Sequence, residues 1–247
     1  MARPHRICII TCVARAWPLW LSAEGGLVGR AIARGVSAVD VIDLRDFGHG
    51  PHRTIDDAPF GGGAGMVLAA PPLLAAMAHA RRRVAGPVFI LAPRGRPFRQ
   101  AQARALSAGD GFTLVCGRYE GLDERAYEAA DGTLSLGDFV LSGGDPAALA
   151  IVDAVVRLRE GTLGNARSLE DESFGGAEPG LQHPVYTRPP VLPSGAAVPE
   201  VLLGGDHARI AAWRREAAAA LTQRHRPDLA PGAGEAPAAL PKWPERC

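Results

Sequence analysis

The sequence predicts an α/β domain with a mostly parallel sheet, followed by a smaller helical region. Short apolar segments typical of strands recur along the first two thirds of the chain, with stretches of helical spacing between them. Most of these segments contain few charged residues, as expected for strands that are covered on both faces. Such alternation favours parallel strands joined by helical crossovers.

Each element is predicted from its own pattern. Four short apolar segments are predicted to be strands, at residues 6–13, 38–44, 87–91 and 112–116. Leucine, alanine and methionine at helical spacing predict helices over residues 71–83 and 98–106. The clearest helix spans residues 146–159, where apolar and polar side chains divide between two faces.

The character of the sequence changes after Gly161. Residues 161–200 contain many glycine, proline and serine residues with little periodicity, which predicts a long ordered loop or linker. A second helical region follows, and its predicted N-cap is Asp206. Its rough apolar stripe is formed by Ile210, Trp213 and Leu221. The segment from Ala230 onward is rich in proline, alanine and glycine, and we expect it to be mobile.

Composition and missing motifs disfavour several classes of protein. Lysine and arginine number 27 and aspartate and glutamate 26, so a net charge of +1 gives no bulk basic field for nucleic acid. The single lysine, Lys242, rules out the Gly-Lys-Ser/Thr loop of P-loop nucleotidases. No Gly-x-Gly-x-x-Gly or Gly-x-Ser-x-Gly motif occurs, which disfavours dinucleotide-dependent dehydrogenases and serine hydrolases.

The N-terminal segment allows two interpretations. Basic residues precede an apolar run at residues 7–13, as in a secretory signal peptide, but the run also fits a buried first strand. Arg15 and Pro18 follow the run and favour the strand. No segment reaches the roughly 18 apolar residues of a membrane span, and we expect a cytoplasmic protein without membrane contact.

The four cysteines do not resemble a disulfide framework. Cys8 and Cys12 are four residues apart, so on a strand they share a face and are predicted to pack as small hydrophobic side chains. No second cysteine or histidine pair lies at ligand spacing nearby, and no metal site is predicted.

Three glycine-rich clusters are the strongest candidates for a binding site. They lie at residues 60–66, 116–121 and 137–144. The second directly follows a predicted strand, and the third leads into the helix predicted from Pro146. Glycine permits positive φ angles and close approach of the backbone to a ligand. Tight turns would explain any single cluster, but three together favour a site for a nucleotide or nucleoside-like cofactor.

These clusters carry a resemblance to a known family. Residues 60–66 (FGGGAGM), 116–125 (CGRYEGLDER) and 135–144 (SLGDFVLSGG) resemble motifs of the TrmD family of bacterial tRNA (guanine-N1)-methyltransferases, within the SPOUT methyltransferases. Further short matches lie at residues 186–189, 198–203, 205–207 and 213–214. The order and spacing of the motifs agree from about residue 28 to residue 229.

The resemblance implies a SPOUT-type parallel sheet with a C-terminal trefoil knot, plus a small, mostly helical C-terminal domain joined by a long linker. The knotted domain would span residues 1–161, the linker 162–197, and the tRNA-binding domain with its flexible tail 198–247. The family transfers a methyl group from S-adenosylmethionine to N1 of guanosine at tRNA position 37, immediately 3′ of the anticodon. The resemblance also implies a homodimer with an active site shared between subunits, and Mg²⁺ as a candidate second cofactor.

Methylation at N1 of guanine requires a general base, because the neutral base carries a proton there, and a cation or donor at O6. The family's base is an aspartate directly before Ser-Phe in the linker. Counted without gaps, the matching residue is Glu172, with Asp171 beside it. Either Glu172 serves with its longer reach, which the count favours, or the chain shifts by one residue and Asp171 serves. By resemblance, Arg157 helps to activate guanine through O6.

The resemblance also implies residues for cofactor and tRNA binding. The predicted cofactor-binding residues are Leu91, Pro93, Gly95, Gly117, Tyr119, Glu120, Gly121, Leu136, Gly137, Asp138, Phe139, Val140, Leu141, Gly143 and Gly144. Glu120 is expected to hold either the amino group of the cofactor or Mg²⁺. The predicted tRNA-binding residues are His52, Arg53, Asp56, Arg188, His207 and Arg214. For each of these, a solvated surface side chain is the alternative.

The sequence departs from the family pattern in several places. Residues 12–18 replace an expected Leu-Phe-Pro-Glu-Met-Phe, Val185 replaces a histidine, and Ala147 replaces a proline. Together with the altered base region, these departures keep a second hypothesis open, a relative that binds RNA without catalysis. A third class, a nucleotide-binding dehydrogenase or nucleotidase, would instead bind NAD or ATP.

Overall fold

The computed structural model describes residues 3–165, 169, 171–175 and 180–229. The chain divides into two compact units, and the boundary falls between Gly164 and Asn165. The C-terminal segment predicted to be mobile, including Lys242, lies outside the described residues.

A parallel sheet forms the centre of the first unit. The strands of this unit are β1 (His5–Thr11), β2 (Ser37–Asp43), β3 (Asp56–Asp57), β4 (Val67–Leu68), β5 (Val88–Pro97), β6 (Gly111–Cys116) and β7 (Gly132–Ser135). Five of them form a sheet in the order β2-β1-β6-β5-β7, in which every neighbouring pair is parallel. Strands β3 and β4 pair antiparallel beside it. The predicted α/β architecture with a mostly parallel sheet is confirmed.

Both faces of the sheet are buried. Successive side chains of a strand point to opposite faces, so Ile7 and Ile9 enter one buried cluster, whereas Cys8 and Ile10 enter another. Strands β5 and β6 divide their side chains between the same two clusters. Burial on both faces explains the low charge of these strands and supports the interpretation of residues 7–13 as a buried first strand.

Helices cover the two faces. The helices of the first unit are α1 (Trp17–Leu21), α2 (Leu27–Ala33), α3 (Ala70–Arg83), α4 (Gln100–Ala108), α5 (Glu124–Glu128) and α6 (Asp145–Val156). Helices α2 and α4 both contact α6, and α3 packs on β1, β6 and α5. The three helices predicted from periodicity are therefore present, with ends shifted by at most three residues.

The sequence does not predict several short elements. Helices α1 and α2 follow β1, while α5 and β7 lie between the second and third glycine clusters. Elements of four to seven residues have too few positions to show a periodicity. Strand β7 nevertheless forms the edge of the sheet next to β5, so its omission leaves the predicted topology incomplete.

The cysteines of the described residues are free thiols inside the fold. Cys8 is buried, and Cys12 packs against the same cluster, as the four-residue spacing predicts. Burial raises the pKa of Cys8 to about 12 and that of Cys12 to about 11. Both side chains therefore stay protonated near neutral pH and behave as small hydrophobic groups.

The second unit contains α7 (His207–His225). As predicted, Asp206 is its N-cap, and the Asp206 carboxylate accepts hydrogen bonds from the N–H groups of Ala208 and Arg209 at 3.0 and 3.1 Å. Ile210 and Trp213 of the predicted apolar stripe are half-buried.

Part of the predicted linker packs on α7. The N–H of Leu181 donates to the hydroxyl of Thr222 at 2.9 Å, and the rings of Tyr186 and Trp213 lie 6.3 Å apart. The described residues from 165 onward therefore group with α7 in one compact unit.

Buried His5 gives the fold a pH-dependent stability. Its residue is 1% exposed, and Nε2 donates a hydrogen bond to the Leu106 carbonyl oxygen at 3.0 Å. Burial, and then the positive charge of Arg159, lower the pKa of His5 from its ordinary value of 6.5. The unfolded chain therefore binds this proton more readily, and folded-state stability is lost as the pH falls below about 6.5.

We expect the free energy of unfolding of the wild-type protein to fall more steeply between about pH 7.5 and about pH 5.5 than that of the His5→Gln variant. The glutamine amide can still donate to Leu106 but does not titrate. Urea unfolding followed by circular dichroism at the two pH values measures the difference. Equal losses in both proteins would show that His5 does not contribute.

Candidate cofactor site

A cavity of about 540 Å³ opens at the carboxyl edge of the sheet, beside β5, β6 and β7. Its walls come mainly from three segments, at residues 91–94, 117–122 and 134–144. Open parallel sheets bind their ligands at this edge. The volume lies within the range of small-molecule sites, about 300–1,000 Å³.

The first wall is a bulge in β5. Leu91 and Arg96 both pair with Leu134 of β7, so residues 92–95 leave the ladder between them. Gly95 approaches β7 so closely that a Cβ atom there would lie 2.5 Å from the carbonyl carbon of Leu134. Glycine is therefore required at this position by the contact between two backbones.

The second wall follows β6 and joins the other two glycine clusters. The N–H of Gly144 donates to the Gly117 carbonyl oxygen at 2.8 Å. Tyr119 has a φ of 58°, and 51% of the residue is exposed beside the cavity. The N–H of Glu120 donates to the Met66 carbonyl oxygen at 3.0 Å, so the first cluster also meets the second.

The third wall connects β7 to α6. The Ser135 hydroxyl donates to the Gly137 carbonyl oxygen at 3.1 Å and accepts from the Gly137 N–H at 3.2 Å. Phe139 and Val140 are 55% and 85% exposed, so this wall also presents apolar surface. Gly144 closes the segment against β6, where an added Cβ would lie 2.8 Å from the Cys116 Cα.

A buried carboxylate lies at the end of the third wall. Asp145, the first residue of α6, is 2% exposed. Its Oδ1 accepts hydrogen bonds from the Thr11 hydroxyl at 2.5 Å and from the Trp17 indole at 2.9 Å. Burial, followed by the charge of Asp145, raises the pKa of the Cys116 thiol well above its usual range. Cys116 is therefore an unreactive thiol at neutral pH.

A charged cluster lies on the rim of the cavity. The Arg94 guanidinium donates to both carboxylate oxygens of Glu124, at 2.8 and 3.0 Å, and lies 3.4 Å from the ring centroid of Tyr127. Burial raises the pKa of the Tyr127 phenol, an effect that the nearby Arg94 charge only partly opposes. The cluster combines residues from two separate segments, so no local motif could reveal it.

The structure brings most of the predicted cofactor residues to this cavity. Those lining it are Leu91, Pro93, Gly117, Tyr119, Glu120, Gly121, Leu136, Gly137, Phe139, Val140, Leu141, Gly143 and Gly144. Gly95 and Asp138 do not line it; Gly95 packs on β7, and Asp138 is exposed.

Sequence reasoning missed other lining residues. These are Ala92, Arg94, Arg118, Leu122, Glu124, Tyr127, Leu134, Ser135, Ser142 and Ala147. Many of them lie within or beside the glycine clusters, and this closeness in sequence is the feature from which they could have been predicted. The contacts of all these residues with a cofactor stay predictions.

The predicted catalytic residues belong to different units. Arg157 caps the C-terminal end of α6, where its N–H donates to the Asp153 carbonyl oxygen at 3.1 Å. Asp171 is exposed and Glu172 half-buried in the second unit. The Glu172 carbonyl oxygen accepts a hydrogen bond from the Gly175 N–H at 2.9 Å. The catalytic roles of these residues stay predictions.

Three of the predicted tRNA-binding residues lie in the first unit. His52 and Arg53 occupy an exposed turn, and Arg53 forms an ion pair with Asp46 and donates through Nε to the Arg45 carbonyl oxygen at 2.9 Å. Asp56 is half-buried in the β3–β4 ladder.

The other three lie in the second unit. Arg188 and Arg214 line a second cavity of about 600 Å³, together with Tyr186 and Ile210. His207 starts α7 and is exposed, but it does not line this cavity. The structure thus brings two of the three predicted residues of this unit together.

Among residues 3–165, 169, 171–175 and 180–229, no three histidine, cysteine, aspartate or glutamate side chains come together as a metal site. In that same part of the chain, every helix is too short or too polar to cross a bilayer.

Fold and site define an α/β protein with a cavity of small-molecule size at the carboxyl edge of a parallel sheet, lined by glycine-rich segments. A family model described as tRNA (Guanine-1)-methyltransferase TrmD matches residues 6–232. The chain therefore belongs to the TrmD family of tRNA (guanine-1)-methyltransferases.

Individual relatives agree with this assignment, and each is named tRNA (guanine-N(1)-)-methyltransferase. The Myxococcus xanthus protein is 49% identical over 231 residues, which cover 93% of this chain and 92% of the relative. That of Anaeromyxobacter sp. strain K is 52% identical over 204 residues, 82% of each chain. That of Rhizobium johnstonii is 47% identical over 233 residues, 94% of this chain and 93% of the relative.

Proposed function

We propose that the protein uses S-adenosylmethionine to methylate N1 of guanosine 37 in tRNA, immediately 3′ of the anticodon. The observation that carries the proposal is the meeting of the second and third glycine clusters around one cavity, with the first cluster bonded to the second through Met66, in a chain that belongs to the TrmD family. The proposal is supported by relatives of about half identity that carry the same enzyme name.

The residues around the cavity fit a nucleoside-type cofactor. Gly117, Gly137 and Gly143 leave the main chain unshielded, so that the polar edge of a purine could bond to backbone groups. Leu91 and Phe139 provide apolar surface for a planar ring, and Glu120 provides a carboxylate for an amino group. When bound, S-adenosylmethionine supplies the activated methyl group, and the cavity walls would hold and orient it.

Removal of the N1 proton is the task of the protein's own side chains. We assign it to Glu172, with Asp171 as the alternative, because these residues match the position of the family's base. Arg157 would donate to O6 of guanine, where negative charge develops as the proton leaves. A positioned general base contributes about 10²–10⁴-fold to such a rate.

Contacts with tRNA are proposed on both units. Arg188 and Arg214 lie together on the second cavity, and His52 and Arg53 lie on an exposed turn of the first unit. Asp56 and His207 complete the proposed set. Because the net charge of the chain is only +1, phosphate binding depends on such local arginine pairs. The target base must also leave its stack to be reached.

Finer proposals on the fold follow from the family assignment. The segments around the cavity would form a trefoil knot, within a methyltransferase domain at residues 1–161. The interdomain linker at 162–197 would contain the catalytic acid, and a helical tRNA-binding domain with a flexible tail would span 198–247. The close packing of Gly95 on β7 and of Gly144 on β6 supports a threaded chain path.

The family assignment also supports proposals on oligomeric state, cellular compartment and metal requirement. Two copies would form a homodimer that completes each active site, in the cytoplasm where tRNA is processed. Mg²⁺ is proposed as a second cofactor, and no set of ligands for it is assigned among the described residues. Light scattering of the purified protein tests the dimer.

The activity is tested with labelled S-adenosylmethionine and two unmodified tRNA transcripts, one with guanosine and one with adenosine at position 37. We expect label to enter the guanosine transcript and to appear as 1-methylguanosine in mass spectra of the digest. The adenosine transcript should accept label at least about 100-fold more slowly, because it lacks the N1 proton and O6 that the site would recognise.

Two other results would count against the proposal. Binding of S-adenosylmethionine in calorimetry without transfer to either transcript would favour a relative that does not catalyse methylation. Absence of affinity for both S-adenosylmethionine and S-adenosylhomocysteine would overturn the assignment of the cavity.

A further inference from the structure

The two oxygens of the buried Asp145 carboxylate have different partners: Oδ1 accepts hydrogen bonds, whereas Oδ2 faces a charged side chain. Thr11 and Trp17 both donate to Oδ1. Among the described residues Oδ2 accepts no hydrogen bond, although it is buried. A buried carboxylate oxygen without a hydrogen bond is costly, so a compensating charge is expected nearby.

That charge is Arg118. Its Nη2 lies 3.8 Å from Asp145 Oδ2, within ion-pair distance, and its buried Nε also lacks a hydrogen-bond partner among the described residues. The Arg118 backbone bridges to Gly143, and the Arg118 side chain runs past that glycine, where an added Cβ would lie 3.3 Å from both Cγ and Nε. Arg118 thus crosses from the second glycine cluster beneath the third to reach the start of α6.

We propose that Asp145 is a positioning residue that, through Arg118, clamps two walls of the cofactor cavity together. The clamp consists of Asp145, Arg118, and the anchors Thr11 and Trp17. Arg118 lines the cavity, whereas Asp145 does not. The carboxylate therefore acts on the cofactor only through the arginine, and this inference rests on the proposed function of the cavity.

The anchors connect the clamp to the N-terminal segment. Trp17 lies in residues 12–18, where the sequence departs from its family, and it is fully buried. Its indole N–H and the Thr11 hydroxyl hold Oδ1, which leaves Oδ2 directed at Arg118. The divergent segment is thus part of the support of the cofactor site.

The Asp145→Asn variant tests the clamp, because the amide oxygen can still accept from Thr11 and Trp17 while the amide nitrogen faces Arg118 without charge. We expect calorimetry to show about tenfold weaker binding of S-adenosylhomocysteine. S-adenosylmethionine should lose the same factor, since a clamp shapes the cavity and does not contact the sulfonium. In assays, KM for S-adenosylmethionine should rise and kcat at saturation should stay nearly unchanged.

Matched variants distinguish the effect of the clamp on cofactor affinity from the effect of losing a charge or of losing the fold. Asp110→Asn makes the same change at an exposed position of the same unit, and we expect wild-type affinity from it. Arg118→Gln should weaken binding about tenfold, and the double variant with Asp145→Asn should be no weaker than either single variant. If Asp145→Asn does not fold, Arg118→Lys, which keeps the charge, should bind more tightly than Arg118→Gln.

Each contrary outcome is distinct. The clamp would be overturned if the losses of affinity multiply in the double variant, or if Arg118→Lys and Arg118→Gln bind equally well. It would also be overturned if Asp145→Asn weakened the binding of S-adenosylmethionine but not that of S-adenosylhomocysteine. Wild-type affinity in Asp145→Asn would overturn it as well. If the wild-type protein itself binds neither ligand, the proposed function fails, and that result is separate from a failure of the clamp.

Discussion

The Glu172→Gln variant is expected to methylate tRNA about 10²–10⁴-fold more slowly than the wild-type protein. Glutamine keeps the length of the side chain but cannot accept the N1 proton of guanine. Single-turnover rates at saturating S-adenosylmethionine and tRNA measure the loss directly. Because the role proposed for Glu172 is to accept a proton from guanine, the affinity for S-adenosylhomocysteine should stay unchanged.

The adjacent acid provides the control. Asp171→Asn makes the same chemical change one residue away at an exposed position, and we expect its rate to stay within about threefold of wild type. The opposite pattern would identify Asp171 as the base and show that the alignment shifts by one residue. If both variants retain full activity, the base lies outside this acidic segment.

Gly95→Ala is expected to lower the free energy of unfolding by about 1–3 kcal/mol. The added Cβ would lie 2.5–2.8 Å from three backbone atoms of Leu134, and a backbone cannot move aside as a flexible side chain does. The bulge would therefore shift, and Pro93 on the cavity wall would move with it. We expect S-adenosylhomocysteine to bind at least about tenfold more weakly.

Gly109→Ala is the matched control for this change. Gly109 has a φ of −78°, which alanine adopts freely, and the nearest atom to an added Cβ is 3.6 Å away. Its free energy of unfolding in urea should change by no more than about 0.5 kcal/mol, and its cofactor affinity should match wild type. If Gly95→Ala behaves like Gly109→Ala in both measurements, the close backbone approach does not constrain the site.

Much of the fold could be predicted from the sequence because the strands are buried on both faces. Residues 6–13 and 112–116 are apolar throughout most of their length, a pattern typical of strands that are covered on both faces. Strand β7 could not be predicted, because GTLS contains a single large apolar residue. Its position beside β5 depends on the path of the whole chain.

The site could be predicted only where its residues are close in sequence. The glycine clusters are local motifs, and most residues of the second and third clusters line the cavity. Arg94 meets Glu124 and Tyr127, and Asp145 meets Thr11 and Trp17, across separations of about 30 residues and more than 120 residues respectively. Contacts of that kind follow from the folded topology, and a single sequence does not encode them as a pattern.

The double pairing of Leu134 has a consequence for how this protein can vary. Residues 92–95 form the bulge in β5, because Leu91 before them and Arg96 after them both pair with Leu134. One inserted or deleted residue there would misalign Pro97 with Ser135 and at the same time reshape the ligand's surroundings. Apart from Gly95, substitutions can accumulate along this stretch, but its length is fixed, and length changes in natural variants should fall elsewhere.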